Sequence, residues 1–162
     1  MAVKITEQPG EAKELLEKFL ASAESKSLSV GWFPWARYNK GKTVAMIAAQ
    51  NEYGSTVKNI PPRPFMGNAI TKNSAKWQQI LDAELHKAYQ NGGGIQRSLE
   101  ILGAVAAGDV RQEIAELQDP PLAPATIKAR LSKYRNKKEV GGLTKPLIDS
   151  GVMFNTVSFE VE

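Results

Sequence analysis

The segment 51–70 reads NEYGSTVKNIPPRPFMGNAI, with prolines on both sides of Arg63. Each proline fixes its own φ angle and pushes the residue before it into extended backbone. Residues 60–64 are therefore predicted to form a stiff, extended segment that holds Arg63 at a defined distance from Phe65 and Met66. A stiff segment loses little conformational entropy on binding, so this arrangement is typical of a docking element. The alternative is a structural turn that leads into the following helix.

Upstream of this segment, the pattern of apolar residues predicts two helices and a strand. Residues 10–24 have leucine, phenylalanine and alanine at helical spacing, and residues 27–33 alternate with a period of two, as in a strand. Residues 43–53 favour a short helix, with a strand as the alternative. In the helical interpretation Thr43 caps the first turn and Gly54 is the C-cap glycine.

Downstream, two longer amphipathic helices are predicted over 72–90 and 95–117, separated by Asn-Gly-Gly-Gly at 91–94. A short helix can restart after Pro124. The tail 154–162 alternates between apolar and polar residues and is predicted to be a half-buried strand. The first and last strands are expected to share one small antiparallel sheet. The fold class is therefore predicted to be α+β, with this sheet packed against two or three longer helices.

The length of 162 residues predicts a single structural domain over 1–162. The absence of cysteine excludes disulfides, thiolate zinc sites and cysteine nucleophiles. The first residues lack the apolar core of a signal peptide, and no run approaches the ~20 apolar residues that span a bilayer. The sequence therefore predicts a protein made in the cytosol that does not bind a membrane.

No set of residues in the sequence predicts catalysis. His86 is the sole histidine, which leaves the common zinc-hydrolase and serine–histidine arrangements without a partner. Glu113 and Glu116 are expected on exposed helix faces as solvated charges. Asp149 is predicted to set a turn through a bond to the backbone two residues on. We therefore expect no enzyme activity, no catalytic residue, no metal site and no cofactor.

The basic residues are concentrated in the segment 128–138, KARLSKYRNKK, which has six cations and no acid. Removing these six from the 21 basic residues leaves 15 against 17 acidic ones, a balance of −2. The range 128–143 is predicted to be an extended basic loop or arm. It is either a solvated loop or a contact to an acidic partner or to DNA. The candidate contact residues are Lys128, Arg130, Lys133, Arg135, Lys137 and Lys138.

A cluster of aromatic residues between 32 and 38 straddles the end of the first predicted strand. Such residues either anchor the core or form a contact surface, because tryptophan and tyrosine are favoured where one end is apolar and the other is wet. Together with the proline-rich segment, this cluster gives the candidate interface residues Trp35, Tyr38, Tyr53, Arg63, Phe65 and Met66.

Three motifs occur in order along the last two-thirds of the chain. They are AAQNEYGS followed by IPPRPFM in 48–66, PPLAPATIKARL in 120–131, and KPLIDSGVMFNTVSFEV in 145–161. This series resembles the signature of small morphogenesis proteins of tailed bacteriophages, which include tail-completion, neck and head–tail connector proteins. Gly67 and the triplet 155–157 depart from the family pattern. The matched positions are Asn51, Glu52, Tyr53, Gly54, Ile60, Pro61, Arg63, Pro64, Phe65, Pro124, Thr126, Ile127, Pro146, Leu147, Asp149 and Gly151.

The resemblance implies a structural protein of the virion that has no enzymatic role. Members of such a family assemble in the host cytoplasm into a cyclic homo-oligomer that joins the capsid to the tail or caps the tail. The implied partners are further copies of the chain and other head, neck or tail proteins, with DNA in the junction channel as another candidate. The alternatives are a nucleic-acid-binding protein that uses the 128–138 segment, and an enzyme active on peptidoglycan. The lack of an acid–base set argues against the enzyme.

Overall fold

The computed structural model describes residues 9–24, 26–39, 41–134 and 143–162, with side chains in the first helix described from Lys13 onward. Within these residues the chain forms six helices and two strands. In chain order they are α1 (Pro9–Ala23), β1 (Leu28–Gly31), α2 (Val44–Tyr53), α3 (Phe65–Gln90), α4 (Gln96–Glu116), α5 (Pro124–Lys133), α6 (Val152–Asn155) and β2 (Ser158–Val161).

The two strands pair as predicted. They form an antiparallel sheet in which Leu28 lies opposite Val161 and Gly31 lies opposite Ser158. With the longer helices packed against this sheet, the α+β fold class is confirmed. The second strand is shorter than predicted, because Gly151 adopts a left-handed φ of 77° and the next four residues form α6. Val157, predicted to face inward, is fully buried.

The centre of the fold is α4, which packs against α3 and against both strands. Val110 and Ile114 from α4 are fully buried with Phe65 of α3 and Val44 of α2. At Gly103 the helix approaches the sheet so closely that an added methyl group would collide with the Phe159 ring. The apolar stripe predicted over 95–117 is thus largely buried, whereas the stripe predicted over 72–90 is half-buried.

The start of α3 is earlier than predicted, since the helix begins at Phe65 directly after the prolines. Pro64 occupies the N-cap position and makes no side-chain cap bond. Instead, the Glu52 carboxylate accepts the N–H groups of Met66 and Gly67, at 2.8 and 3.0 Å. An acidic side chain at this end also favours the helix dipole. The end of α2 therefore fixes the beginning of α3.

The cap predicted for α2 is wrong in its mechanism. Thr43 is the N-cap residue with extended backbone, but its side chain makes no cap hydrogen bond. The first N–H is satisfied elsewhere, because Val44 donates to the Ala36 carbonyl at 3.0 Å. Gly54 does have a positive φ, as a C-cap glycine would, but its ψ of −180° is not that of a left-handed helix.

The predicted basic loop is helical in its first part, so the extended interpretation is wrong for residues 128–133. They belong to α5, which begins with Pro124 at the first position, where proline's missing donor is tolerated. Residues 135–142, which include half of the predicted loop, lie outside the described residues.

Glu113 is another departure from the predicted arrangement. It is buried, at 6 % exposure, and accepts hydrogen bonds from Asn68 at 3.1 Å and Lys72 at 2.5 Å. Its position on α4 faces α3 rather than solvent. Glu116, one turn later, is exposed as expected.

In the part of the chain that the structure describes, no helix is both long and apolar enough to cross a bilayer.

Candidate assembly interface

Arg63, predicted as a docking cation, is buried and bound within the chain. It is 4 % exposed, and its Nε and Nη2 atoms donate to the carbonyls of Pro120 and Pro121 at 2.8 and 3.1 Å. Its backbone N–H donates to the Asn51 carbonyl at 2.7 Å. Burial, with the nearby charge of Arg130, lowers the pKa of the guanidinium. The prediction of an exposed cation is therefore wrong: Arg63 joins the proline segment to the link between α4 and α5.

Phe65, predicted as an apolar anchor for a partner, is a core residue. Its side chain is 1 % exposed and meets the Trp32 ring edge to face, with centroids 5.7 Å apart. The Trp32 Nε1 atom donates to the Met153 carbonyl at 2.8 Å. Met66 is half-buried and packs against the same core. The prediction fails for Phe65 because α3 starts at this residue and turns its ring inward.

Three of the predicted interface aromatics are accessible to different degrees. Trp35 is 60 % exposed and stacks on Phe33 with centroids 6.4 Å apart. Tyr53, at the end of α2, is 82 % exposed. Tyr38 is half-buried against the core. Burial, reinforced by the negative charge of Asp149, raises the pKa of the Tyr38 hydroxyl. Trp35 and Tyr53 thus remain available for contact, and Tyr38 is partly available.

Within the basic segment, Arg130 binds backbone carbonyls of the 145–148 segment. Its side chain is 11 % exposed. Its Nη1 atom donates to the carbonyls of Lys145 and Ile148 at 2.7 and 2.9 Å, and Nη2 donates to that of Pro146 at 3.3 Å. Five fixed donors make a guanidinium suited to several carbonyls at once. Arg130 therefore holds the third motif against α5 and does not present its charge to a partner.

Asp149 accepts a hydrogen bond from Lys133 Nζ at 2.7 Å and lies 3.6 Å from Arg130 Nε. Burial opposes ionisation of the carboxyl, but the Lys133 hydrogen bond and the two positive charges outweigh it and lower the pKa of Asp149. No described backbone N–H donates to Asp149, so the predicted turn bond is absent. Lys128 is exposed. The remaining candidates, Arg135, Lys137 and Lys138, lie outside the described residues.

A cleft of about 840 Å³ separates α5 and the 146–153 segment from α2. Its walls include Tyr38, Ile47 and Met153, with the Lys133–Asp149 pair on one side. These two charged groups are bound to each other and are not arranged as an acid and a base around a free position. Among the described residues, no three histidine, aspartate or glutamate side chains come together as a metal site.

The outer face of α2 is an apolar surface that sequence reasoning missed. Ala45, Met46, Ala49 and Tyr53 are all exposed, while Val44 and Ala48 face the core. The signal was present in the sequence, since apolar residues occupy both faces of 44–53 and leave no charged stripe for solvent. The helix was predicted, but the surplus of apolar residues on its outer face was not.

The outer side of α1 also exposes leucines. Leu16 and Leu20, four residues apart on one face, are 46 % and 55 % exposed. The inner side packs through Phe19, whose ring meets that of Tyr89 edge to face at 5.7 Å.

Comparisons of the chain with protein-family models, with curated proteins and with solved structures gave no significant match.

Asp149→Asn is expected to lower the free energy of unfolding at neutral pH by up to about 1 kcal/mol, since the carboxylate is 41 % exposed and solvent screens the pair. The folded-state pKa lies below the unfolded value of about 3.9. The difference from the native chain should therefore be complete above about pH 5 and disappear as pH falls through the folded pKa. Urea denaturation between pH 2.5 and 7 measures it, with the exposed Asp82→Asn as control. A difference that does not change with pH would contradict the ion-pair role.

Proposed function

We propose that the chain is a structural protein of a bacteriophage virion, of the neck or tail-completion type, that acts as a ring-forming subunit and not as an enzyme. The observation that carries the proposal is the uncharged outer face of α2. A helix that is apolar all round is normally buried, yet Ala49 and Tyr53 are exposed in the single chain. Both lie within AAQNEYGS, the first of the three motifs that carry the resemblance.

The arrangement of the other two motifs supports the same proposal. Arg63 in the first motif binds Pro120 and Pro121 in the second, and Arg130 in the second binds the carbonyls of the third. The motifs are thus bound to one another inside the subunit. Residues that resemble the family's signature mainly build the subunit, and the exposed helix faces are left to make the contacts between subunits.

The nucleic-acid alternative is less well supported than it was by the sequence. Two of the six candidate cations, Arg130 and Lys133, are bound to carbonyl oxygens or to Asp149. Contacts to phosphates need cations that can release counterions. If the alternative holds, the affinity of the purified chain for duplex DNA should fall steeply between 50 and 200 mM salt, as for ~6–10 phosphate contacts. We expect no such dependence.

The proposal is tested with a stop codon in place of Trp77 in the phage or prophage that encodes the chain. Electron microscopy of the lysate should then show DNA-filled capsids beside separate tails, or tails of abnormal length. A plasmid copy of the native gene should restore joined particles. Normal, infectious particles in the absence of the chain would overturn the proposal. Normal particles that stay trapped inside cells with intact walls would also overturn it, because they would indicate an enzyme active on peptidoglycan.

A further inference from the structure

The outer face of α2 has the shape and chemistry of a seat for another helix. Ala45 and Ala49 lie one turn apart and leave a shallow row, flanked by the larger side chains of Met46 and Tyr53. Small residues let a second helix approach closely, and a row at i and i+4 accepts the ridge of a partner helix. Tyrosine and methionine are enriched where proteins meet. A helix that occupies this seat must present a ridge of apolar side chains spaced four residues apart.

The chain itself carries such a ridge, on α1. Leu16 and Leu20 are four residues apart and exposed. A neighbouring side of α1 is already engaged: Phe19 meets Tyr89, and the Ser22 hydroxyl accepts the Ile95 N–H at 3.3 Å. These contacts leave Leu16 and Leu20 about half exposed, at the edge of the packed side of α1.

The seat and the ridge cannot meet within one subunit. The seat lies at the first turn of α3, where Glu52 of α2 binds the N–H of Met66. The ridge lies at the last turn of α3, where Phe19 meets Tyr89. The 26 residues of α3 span roughly 39 Å at 1.5 Å per residue. The ridge of one copy can therefore reach only the seat of another copy.

The charges around the two surfaces are complementary. Residues 9–24 contain four glutamates and two lysines, a balance of −2. The ends of α2 are flanked by Lys42 and Lys58, which make no ion pair with any described residue; Lys58 donates to the Gln50 side chain. Glu52 is turned away toward α3. An acidic helix brought to this seat would meet a lysine at each end of α2, which favours its association with this surface.

We infer that α1 of one copy packs its Leu16–Leu20 ridge into the Ala45–Ala49 row on α2 of the next copy. The contact joins two different surfaces, so it is heterologous and repeats from copy to copy; it gives a ring if the rotation closes. The inference rests on the proposed function for its ring but on the two helix faces for its contact. It moves the subunit contact away from the predicted Arg63 and Phe65 and keeps the predicted Tyr53 at its edge.

The absence of native cysteine makes disulfide trapping a direct test. Leu16→Cys in one preparation is mixed with Ala45→Cys or Ala49→Cys in another, and the mixture is oxidised mildly and run on a non-reducing gel. The two alanine positions, one turn apart, cover both registers. Cβ atoms within about 4.5 Å are needed for the bond. We expect a linked dimer in the mixtures, with mass spectrometry placing residue 16 beside 45 or 49, and little linkage in each variant alone.

The matched control is Gln78→Cys, an exposed position in the middle of α3, mixed with Ala49→Cys. If position 49 linked to position 78 as readily as to position 16, the contact would be overturned. Linkage of position 16 mainly to position 16 of another copy would also overturn it, because that indicates paired α1 helices. A chain that stays monomeric by light scattering and links at no pair would also overturn it. Ala49→Glu should weaken association tenfold or more and leave the thermal melt unchanged; an unchanged association would count against the contact.

These outcomes are separate from the test of the virion role. If the stop codon leaves heads and tails unjoined but positions 16 and 49 do not link, the contact is wrong and the proposed function stands. If 16 and 49 link but particles form normally without the chain, the contact is right and the virion role is wrong.

Discussion

Phe65→Ala is expected to lower the free energy of unfolding by about 3–5 kcal/mol, the usual effect of removing a buried phenylalanine. The ring is 1 % exposed and contacts Trp32 edge to face, so its loss leaves a cavity at the junction of α3 with the β1 end of the core. Denaturation in urea, monitored by the fluorescence of the three tryptophans, measures the change. Assembly should fail in proportion to the unfolded fraction and no further.

The matched control is Trp35→Ala, which removes an aromatic ring that is 60 % exposed. A surface change of this kind is expected to stay within about 0.5 kcal/mol. If Phe65→Ala instead left the melt unchanged and abolished oligomers, the ring would be an interface anchor, as the sequence alone suggested. The structural assignment of Phe65 to the core would then be wrong.

Arg63→Met is expected to lower the free energy of unfolding by about 3 kcal/mol. The change keeps much of the side-chain volume but removes the donors to Pro120 and Pro121. Hydrogen bonds made by a charged group contribute about 1.5–3 kcal/mol each. Arg63→Lys should restore less than half of the loss, because an ammonium group cannot serve both carbonyls with the geometry of a guanidinium.

Arg97→Met is the control for Arg63→Met, because Arg97 is exposed on α4 and makes no hydrogen bond or ion pair with any described residue. Its replacement should change the free energy of unfolding by less than about 0.5 kcal/mol. Equal effects at positions 63 and 97 would show that the bonds to the two prolines contribute nothing. Full rescue by Arg63→Lys would show that charge alone matters at this position.

The sequence predicted those parts of the fold that have a local periodic signal. The period of 3.6 in the long helices and the period of two in the strands were sufficient to predict the α+β class and the pairing of β1 with β2. The ends of a helix were predicted less accurately where they depend on a residue that is distant in the sequence. α3 begins at Phe65 because Glu52, thirteen residues earlier, caps it, and no pattern within one turn of Phe65 reports that bond.

The candidate site was harder to predict, for the same physical reason. An arginine between prolines looks exposed in sequence, since a cation is seldom buried without a partner. The partners of Arg63 are backbone carbonyls 57 and 58 residues away, and backbone carbonyls are invisible to composition. Arg130 was likewise counted as part of a free basic run, although three carbonyls of the third motif receive its donors. By contrast, Tyr53, a candidate from the 51–70 segment, is 82 % exposed.

The pairing of β1 with β2 also gives the chain a mechanically weak direction. Ser27 and Glu162 exchange both backbone hydrogen bonds, at 2.9 and 3.0 Å, at one end of the ladder. Tension between these two residues would load the ladder one pair at a time and peel it open. Tension between α1 and α2 would load two routes in parallel: the chain that joins them, which contains β1, and α3, where the hydrogen bonds of each turn, about 3.6, share the load. Copies joined through those two helices would thus place part of any pulling force along α3, the longest helix of the fold.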